Sequence, residues 1–382
     1  MPLRFLEFFA GGGMARAGLG EAWRCVFAND NDAKKRASYA ANWGHEHLNP
    51  SSVADLTMAD LPERADLAWA SFPCQDLSLA GDYAGLEGER SGTFWPFWRV
   101  IKALVKEERA PSLVVLENVC GALTSHRGKD FAAIGAALTR SGYRFGALVM
   151  DAVHFLPQSR PRLFILALRK GGNIPDDLTT AQPVPIWHSP ALVGAYENLT
   201  TRSKAAWLWW KVPEPLPRAT VFSDFIEDKP EGVVWHTAAE TERLLSLMSP
   251  LNRRKVENAK GTGRRMVGGI YKRTRPDGDG GRVQRAEIRF DDIAGCLRTP
   301  VGGSSRQSIM IVEGDHIRSR LLSPREAARL MGLPDTYKLP TNYNDAYHLV
   351  GDGVAVPVVR HLARNIIEPL IRNTQAMVEP AA

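Results

Sequence analysis

At 382 residues the chain is long enough for two domains, each with a core of its own. Hydrophobic residues at 44% and charged residues at 24% exclude disorder as the main state, and no apolar run reaches bilayer-spanning length. With no apolar leader at the start, a cytoplasmic protein is expected; 48 Lys and Arg against 42 Asp and Glu leave +6, which suits a polyanionic partner without requiring one.

The first predicted strand, Phe5 to Phe9, runs into the glycine turn Ala10-Gly11-Gly12-Gly13. A second, Arg24 to Ala28, ends at Asn29-Asp30, and a third, Leu67 to Ser71, ends at Phe72-Pro73-Cys74. Helical character follows over Phe94 to Lys106. A fourth strand, Leu113 to Leu116, ends at Glu117-Asn118, and a helix over Phe131 to Arg140 is stopped by Gly142. Continuously apolar strands alternating with helices predict a parallel sheet covered on both faces. Such sheets bind ligands beyond the carboxyl ends of their strands, where all four runs end in polar or reactive residues. Tyr143 to Val149 and Leu163 to Leu168 read as an antiparallel pair. From about 171 to 317 the chain turns rich in Pro, Gly, Trp and Arg, with little periodicity, and reads as a separate module. Order returns at Ser323-Pro324-Arg325-Glu326, a capping box opening a helix closed by Gly332; a last helix runs from near Pro357 to about Ile371.

The four cysteines (Cys25, Cys74, Cys120 and Cys296) are scattered, with no paired spacing to suggest zinc or a redox couple, so no metal is expected. Gly11 and Gly13 fit the first two glycines of a dinucleotide fingerprint, but Arg16 stands in place of the third, which disfavours a pyrophosphate cradle. Asp30 is placed to accept hydrogen bonds from ribose hydroxyls. The bland alternative is that the glycines only make a tight turn and Asp30 caps a helix. Cys74 follows a stiff Phe72-Pro73 stem and precedes a segment punctuated by Gly81, Gly85, Gly88 and Gly92, able to close over a substrate. A lone cysteine is commonly inert core, but its place at the sheet mouth favours a nucleophile. Glu117 ends an apolar strand, where a carboxylate needs a partner, either an ion pair or a bound base. Gln158, Arg160 and Arg162 alternate in an extended segment and so share a face, with Pro161 marking an edge or irregular strand.

Phe9-Ala10-Gly11-Gly12-Gly13, Phe72-Pro73-Cys74-Gln75, Glu117-Asn118-Val119, Gln158-Ser159-Arg160-Pro161-Arg162, the Arg320 to Asp335 segment and Gly351-Asp352-Gly353-Val354 together resemble the DNA cytosine-5 methyltransferase family, bacterial restriction-modification type. They come in the family's order and span the chain except its middle module. The resemblance implies an α/β, Rossmann-like sheet binding S-adenosylmethionine, with a second, smaller target-recognition domain. The implied division is 1–170 catalytic, 171–317 target recognition, and 318–382 returning to the catalytic domain, where the last helix packs beside the first strand. It implies that Phe9, Ala10, Gly11 and Gly13 line the methionine part of the cofactor, Asp30 binds the ribose, and Asn31, Asp55 and Leu56 meet the adenine. Pro73, Asp352 and Val354 complete the implied cofactor set. The chain departs from the family pattern at Asn31, where a large apolar side chain is usual, and at Asp352, where Asn is usual. Cys74 would attack C6 of a flipped cytosine, Glu117 would hold N3, and Arg162 helped by Arg160 would position the base.

The partner implied is duplex DNA, bound by a monomer, with a cognate restriction endonuclease as a further partner. Residues 253 to 289 carry twelve Lys and Arg against Glu257, Asp277, Asp279 and Glu287, and read as loops tracking a phosphate backbone and a groove. Gln75, Arg264, Arg265, Lys272, Arg273 and, in the loop Gly302 to Gln307, Arg306 are the expected DNA contacts. A solvated basic surface is the alternative. Trp207, Trp209 and Trp210 read as core. Two other functions compete: a transfer-RNA cytosine methyltransferase, whose middle module is generally much smaller, and a catalytically silent DNA-binding protein on the same fold. A nicotinamide oxidoreductase is disfavoured by Arg16.

Overall fold

Largely apolar runs recur through the N-terminal part of the chain, and each forms a strand. The computed structural model describes residues 2–62, 64–73, 93–276, 281–297 and 306–376. The chain divides into one unit of Met1–Asp151, Pro161–Pro215 and Val358–Ala382 and another of Ala152–Arg160 and Leu216–Pro357.

In the first unit the order is β1 (Leu3–Phe8), α1 (Met14–Leu19), β2 (Trp23–Asn29), α2 (Ala33–Trp43), β3 (Leu48–Asn49), β4 (Leu67–Ser71), α3 (Phe94–Lys106), β5 (Leu113–Val119), α4 (Lys129–Arg140), β6 (Tyr143–Asp151) and β7 (Pro161–Arg169). Among the described residues these strands form one sheet in the order β3-β2-β1-β4-β5-β7-β6. β3, β2, β1, β4 and β5 run parallel, and β7 returns antiparallel between β5 and β6. The carboxyl ends of β1, β2, β4 and β5 therefore share one edge with the start of β7, where Val119 faces Arg162. α3 buries Phe94, Phe97, Trp98, Ile101 and Leu104 at helical spacing, with Phe97 edge-on to Phe8 at 4.9 Å. Each such side chain contributes about 1.5–3 kcal/mol by leaving water.

Residues 171–215 were expected in a separate module, yet they belong to this unit. They hold β8 (Thr179–Thr180), α5 (Pro190–Glu197), α6 (Thr201–Ala205) and β9 (Trp209–Trp210). The cause is aromatic packing: Trp207 lies edge-on to Phe145 at 5.2 Å and to Phe131 at 6.1 Å, while the Leu208 amide donates to the Phe145 carbonyl. Trp207 and Trp210 are buried, as the core reading required.

The second unit carries α7 (Ala238–Ser246) and α8 (Pro250–Lys260) against an antiparallel sheet of β10 (Met266–Pro276), β11 (Arg282–Arg289), β12 (Ser308–Glu313) and β13 (His316–Leu321), ordered β11-β10-β12-β13. Leu244, Met248, Val256, Ile270, Ile288, Met310 and Val312 form its core. Residues 253–289, read as loops, are thus mostly a helix and a hairpin. After β13 come α9 (Pro324–Arg329) and α10 (Tyr343–Asp352). The capping box is present: Ser323 Oγ accepts from the Glu326 amide, and the Glu326 carboxylate accepts from the Ser323 amide. That carboxylate also meets the fully buried Arg320 through two nitrogens, at 2.6 and 2.7 Å. Because β13 completes this sheet, residues 318–357 stay with the second unit rather than returning to the first.

α11 (Val356–Leu362) and α12 (Glu368–Ala376), joined by a π-helical stretch, bring the chain back to the first unit. Arg360 donates to the carbonyls of Leu19 and Ala17 at the end of α1, and Trp23 Nε1 donates to Glu368. Among the described residues no helix is long and apolar enough to cross a membrane.

Candidate active site

β1 ends in a turn whose backbone is left-handed at Phe9 (φ 56°), Gly11 (φ 55°) and Gly13 (φ 76°). At Gly13 a side chain is also excluded by space, since a Cβ would stand 2.4 Å from Trp43 Nε1. The turn is held from several sides. Asp30 Oδ2 accepts from the Gly11 amide at 2.8 Å and Oδ1 from the Asp32 amide at 2.9 Å; Trp43 Nε1 donates to the Gly12 carbonyl at 3.0 Å. Asp30, only 8% exposed, thus ties the tip of β2 to the turn, while the cap of α2 is Asp32. Asn29 Nδ2 donates to the carbonyls of Asn49 and Ser51, fixing the strand that leads to Leu56. Leu56 is buried, while Asn31 and Asp55 are exposed and Ala10 is buried beneath the turn.

At the same edge β4 gives way to Phe72 and Pro73. Asn118 Nδ2 donates to the Phe72 carbonyl at 3.0 Å, anchoring the stem that leads to Cys74. Cys74, Gln75 and the glycines after them lie outside the described residues. Glu117, 7% exposed, has its Oε1 3.3 Å from Arg162 Nε. The two side chains share a sheet face because Glu117 stands two residues before Val119, the partner of Arg162. Burial pushes the thiols of Cys120 and Cys25 up, the latter to about 11, so both are poor nucleophiles at neutral pH.

Arg160 corrects the sequence reading. It was expected on one face with Gln158 and Arg162, helping Arg162 at the base, but the boundary between the units falls between Arg160 and Pro161. Arg160 is 1% exposed, and its guanidinium donates to the carbonyls of Leu297 (3.3 Å), Gly351 (2.7 Å) and Gly353 (2.6 Å). Gln158, also buried, donates to the Leu330 carbonyl at 2.6 Å. A buried guanidinium needs partners for its N–H groups, and these carbonyls accept from both of its terminal nitrogens. Arg160 is therefore a clamp on the backbone around Asp352. Asp352 is exposed and Val354 buried, both in the second unit.

The expected DNA contacts also lie in the second unit, except Gln75. Arg264 is exposed; Arg265 pairs with Asp228 at 2.8 Å and lies 3.9 Å from Glu313. Lys272 and Arg273 lie on the β10–β11 hairpin, where Arg273 stands directly opposite Arg285 and 3.4 Å from Glu287. Both arginines are exposed. Arg306 lies over the Tyr343 ring at 5.6 Å, and most of the loop before it is outside the described residues.

The model of the family described as C-5 cytosine-specific DNA methylase matches residues 3–368. The chain belongs to that family. The Type II methyltransferase M.NlaX of Neisseria lactamica is 26% identical over 367 residues, covering 95% of this chain and 96% of the relative. M.HhaI of Haemophilus parahaemolyticus is 25% identical over 372 residues, covering 95% and 94%. Among solved structures, the S. pombe Dnmt2 methyltransferase aligns with a TM-score of 0.58 at 18% identity, over 96% of this chain and 99% of that one. The Entamoeba histolytica methyltransferase EhMeth gives 0.58 at 12% identity over the whole of both chains. The α/β, Rossmann-like class expected from the motifs is the one found, and the enzyme is a cytosine-5 DNA methylase of the restriction-modification kind.

Seen as such a methylase, the chain holds positioning residues that sequence reasoning gave no role. Asn118 fixes the stem before Cys74, Asn29 fixes the segment before Leu56, and Trp43 grips the glycine turn. One signal was available for the asparagines: each is a polar residue closing an apolar strand, where an amide needs partners. Trp43 gave none, since a tryptophan at a helix end reads as packing.

Proposed function

We propose that this methylase transfers a methyl group from S-adenosylmethionine to C5 of a flipped cytosine in a specific duplex DNA sequence, through a covalent adduct between Cys74 and C6. The observation that carries the reading is the Glu117–Arg162 pair, set at the edge of the sheet where Asn118 anchors the Phe72-Pro73 stem. The glycine turn fits the donor. It is open beside Gly11, where a Cβ would meet nothing within 4 Å, and Asp30 closes it from below. Phe9, Ala10, Gly11 and Gly13 would hold the methionine part, Asp30 the ribose, and Asn31, Asp55 and Leu56 the adenine, with Pro73 completing the set. When bound, the donor supplies an electrophilic sulfonium methyl.

C5 of cytosine is a weak nucleophile, and the chain's own groups change that. Cys74 as thiolate adds to C6, which pushes electrons through the ring and makes C5 enamine-like. Glu117 holds N3 and the exocyclic amine and stabilises the charge arriving there. Arg162, paired with Glu117, orients that carboxylate and the base. After C5 takes the methyl, a base removes its proton, the freed electron pair re-forms the C5–C6 double bond, and Cys74 leaves as thiolate. Attack from above the ring requires the base to leave the stack. The second unit reads the target, with Arg264, Arg265, Lys272, Arg273 and Arg306 on the DNA; a cognate restriction endonuclease would cut the same sequence.

DNA carrying 5-fluorocytosine tests the adduct, because fluorine cannot leave as a proton does. Wild type should become covalently attached in the presence of donor, and Cys74→Ala should not. Attachment by Cys74→Ala would overturn the mechanism. Bisulfite sequencing of DNA from expressing cells would reveal the recognised sequence, and competition with transfer RNA should leave DNA methylation unaffected.

A further inference from the structure

Behind the glycine turn lies a buried polar cluster that the proposed chemistry does not use. Glu7 sits in β1 two residues before Phe9 and is 1% exposed. Strand alternation turns it, with Phe5, to the face opposite Leu6 and Phe8. Its Oε1 accepts from the backbone amide of Arg16 in the first turn of α1 at 3.3 Å, and its Oε2 accepts from Tyr39 Oη at 3.4 Å. Arg16 in turn donates to Tyr39 Oη at 3.0 Å and lays its guanidinium over the Trp43 ring at 5.0 Å. Tyr39 and Trp43 are one helical turn apart on α2, so one face of that helix carries both grips. Trp43 reaches the Gly12 carbonyl, which connects the cluster to the turn itself. The N-cap of α1 is Gly13, which offers no side chain, so the carboxyl of Glu7 takes over that capping task from across the strand.

We propose that Glu7 is a positioning residue for the methyl-donor site: it fixes the exit of the glycine turn through the Arg16 amide and ties that turn to α2 through Tyr39. The inference rests on the donor reading above. A carboxyl this deeply placed would be costly to keep for packing alone. Burial pushes Glu7 up to about 8, so at neutral pH it is largely the neutral acid: Oε1 still accepts from the Arg16 amide, while the protonated Oε2 donates to Tyr39 Oη in place of accepting from it, and Tyr39 can turn its own hydrogen to Cys25 Sγ. Glutamine reproduces that pattern and leucine does not.

The test measures calorimetric binding of S-adenosylmethionine to the full chain, with steady-state kinetics on DNA and melting of the ligand-free protein. Glu7→Leu should weaken donor binding about tenfold or more while kcat at saturating donor and the KM for DNA stay within about twofold. Glu7→Gln should restore binding to within about threefold of wild type. Phe5→Leu, which thins packing on the same strand face without touching the turn, should lower the melting temperature and leave donor affinity unchanged. Wild-type affinity in Glu7→Leu, or equal weakening in Phe5→Leu, would overturn the inference while leaving the donor reading in place. Failure of the wild type itself to bind S-adenosylmethionine would overturn both.

Discussion

The glycine turn of the first unit and the β10–β11 hairpin of the second solve opposite problems. Around the turn, polar groups are buried and their bonds converge on backbone atoms: Asp30 on Gly11, Trp43 on Gly12, Glu7 on Arg16. On the hairpin, Arg273 and Arg285 are exposed and stand directly opposite each other, with Glu287 3.4 Å from Arg273. Directly opposed like charges cost stability unless an outside anion offsets them. A methyl transfer requires its donor to be held to a fraction of an ångström, which converging bonds supply. A phosphate backbone needs only charge at the right spacing, and exposed arginines supply that at long range. Buried, converging bonds mark the region proposed for the chemistry, and exposed charge marks the region proposed to meet DNA.

The largest expected effect lies at the chemical edge. Glu117→Gln should lower kcat by roughly 100-fold or more, with the KM for DNA little changed, as measured by methyl incorporation. A small loss would mean that precise placement at this edge matters less than the contrast holds. Gly13→Ala comes next: a left-handed backbone combined with the Trp43 clash should cost roughly 2–4 kcal/mol and weaken donor binding, read by denaturant melts and calorimetry. An unaffected Gly13→Ala would show that the turn is looser than its clamps suggest. On the hairpin, Arg273→Ala together with Arg285→Ala should raise the KM for DNA about tenfold and reduce its salt dependence by about one to two contacts, with donor KM unchanged. The replacement of both by lysine should keep most of the salt slope.

The smallest effect sharpens the comparison from the buried side. Burial raises the Glu7 carboxyl from 4.5 to about 8. Between those values the unfolded chain sheds a proton that the folded chain keeps, so stability falls as pH rises through the window and levels off above it. Glu7→Gln should flatten that fall in denaturant melts taken from pH 5 to pH 8. An identical slope in the variant would assign the dependence to other groups.

Much of the first unit was legible because its signals are local. The Leu67–Ser71 strand and the Phe94–Lys106 helix stand where periodicity and flanking turns placed them; in the second unit the Ser323 capping box, equally local, formed as written. At the candidate site, the sequence placed Asp30 and Glu117 at strand ends, and both stand there, bonded to the Gly11 amide and near Arg162. Arg160 was misread because alternation in an extended segment predicts a shared face only while the strand continues, and β7 begins at Pro161. Residues 253–289 were misread as loops because basic residues on exposed faces of a helix and a ribbon blur the apolar pattern.

From the amino-acid order alone came the parallel sheet, the edge proposed to carry the chemistry and the family, since strand periods and motif residues are properties of neighbours along the chain. Which arginine pairs with Glu117 and which clamps a backbone, which unit owns residues 171–215 and 318–357, and that Glu7 meets the Arg16 amide were decided by the tertiary structure alone. The reason is physical: a buried guanidinium, indole or carboxyl takes its role from whichever polar groups folding brings within hydrogen-bond reach, and those groups lie from 9 to 193 positions away.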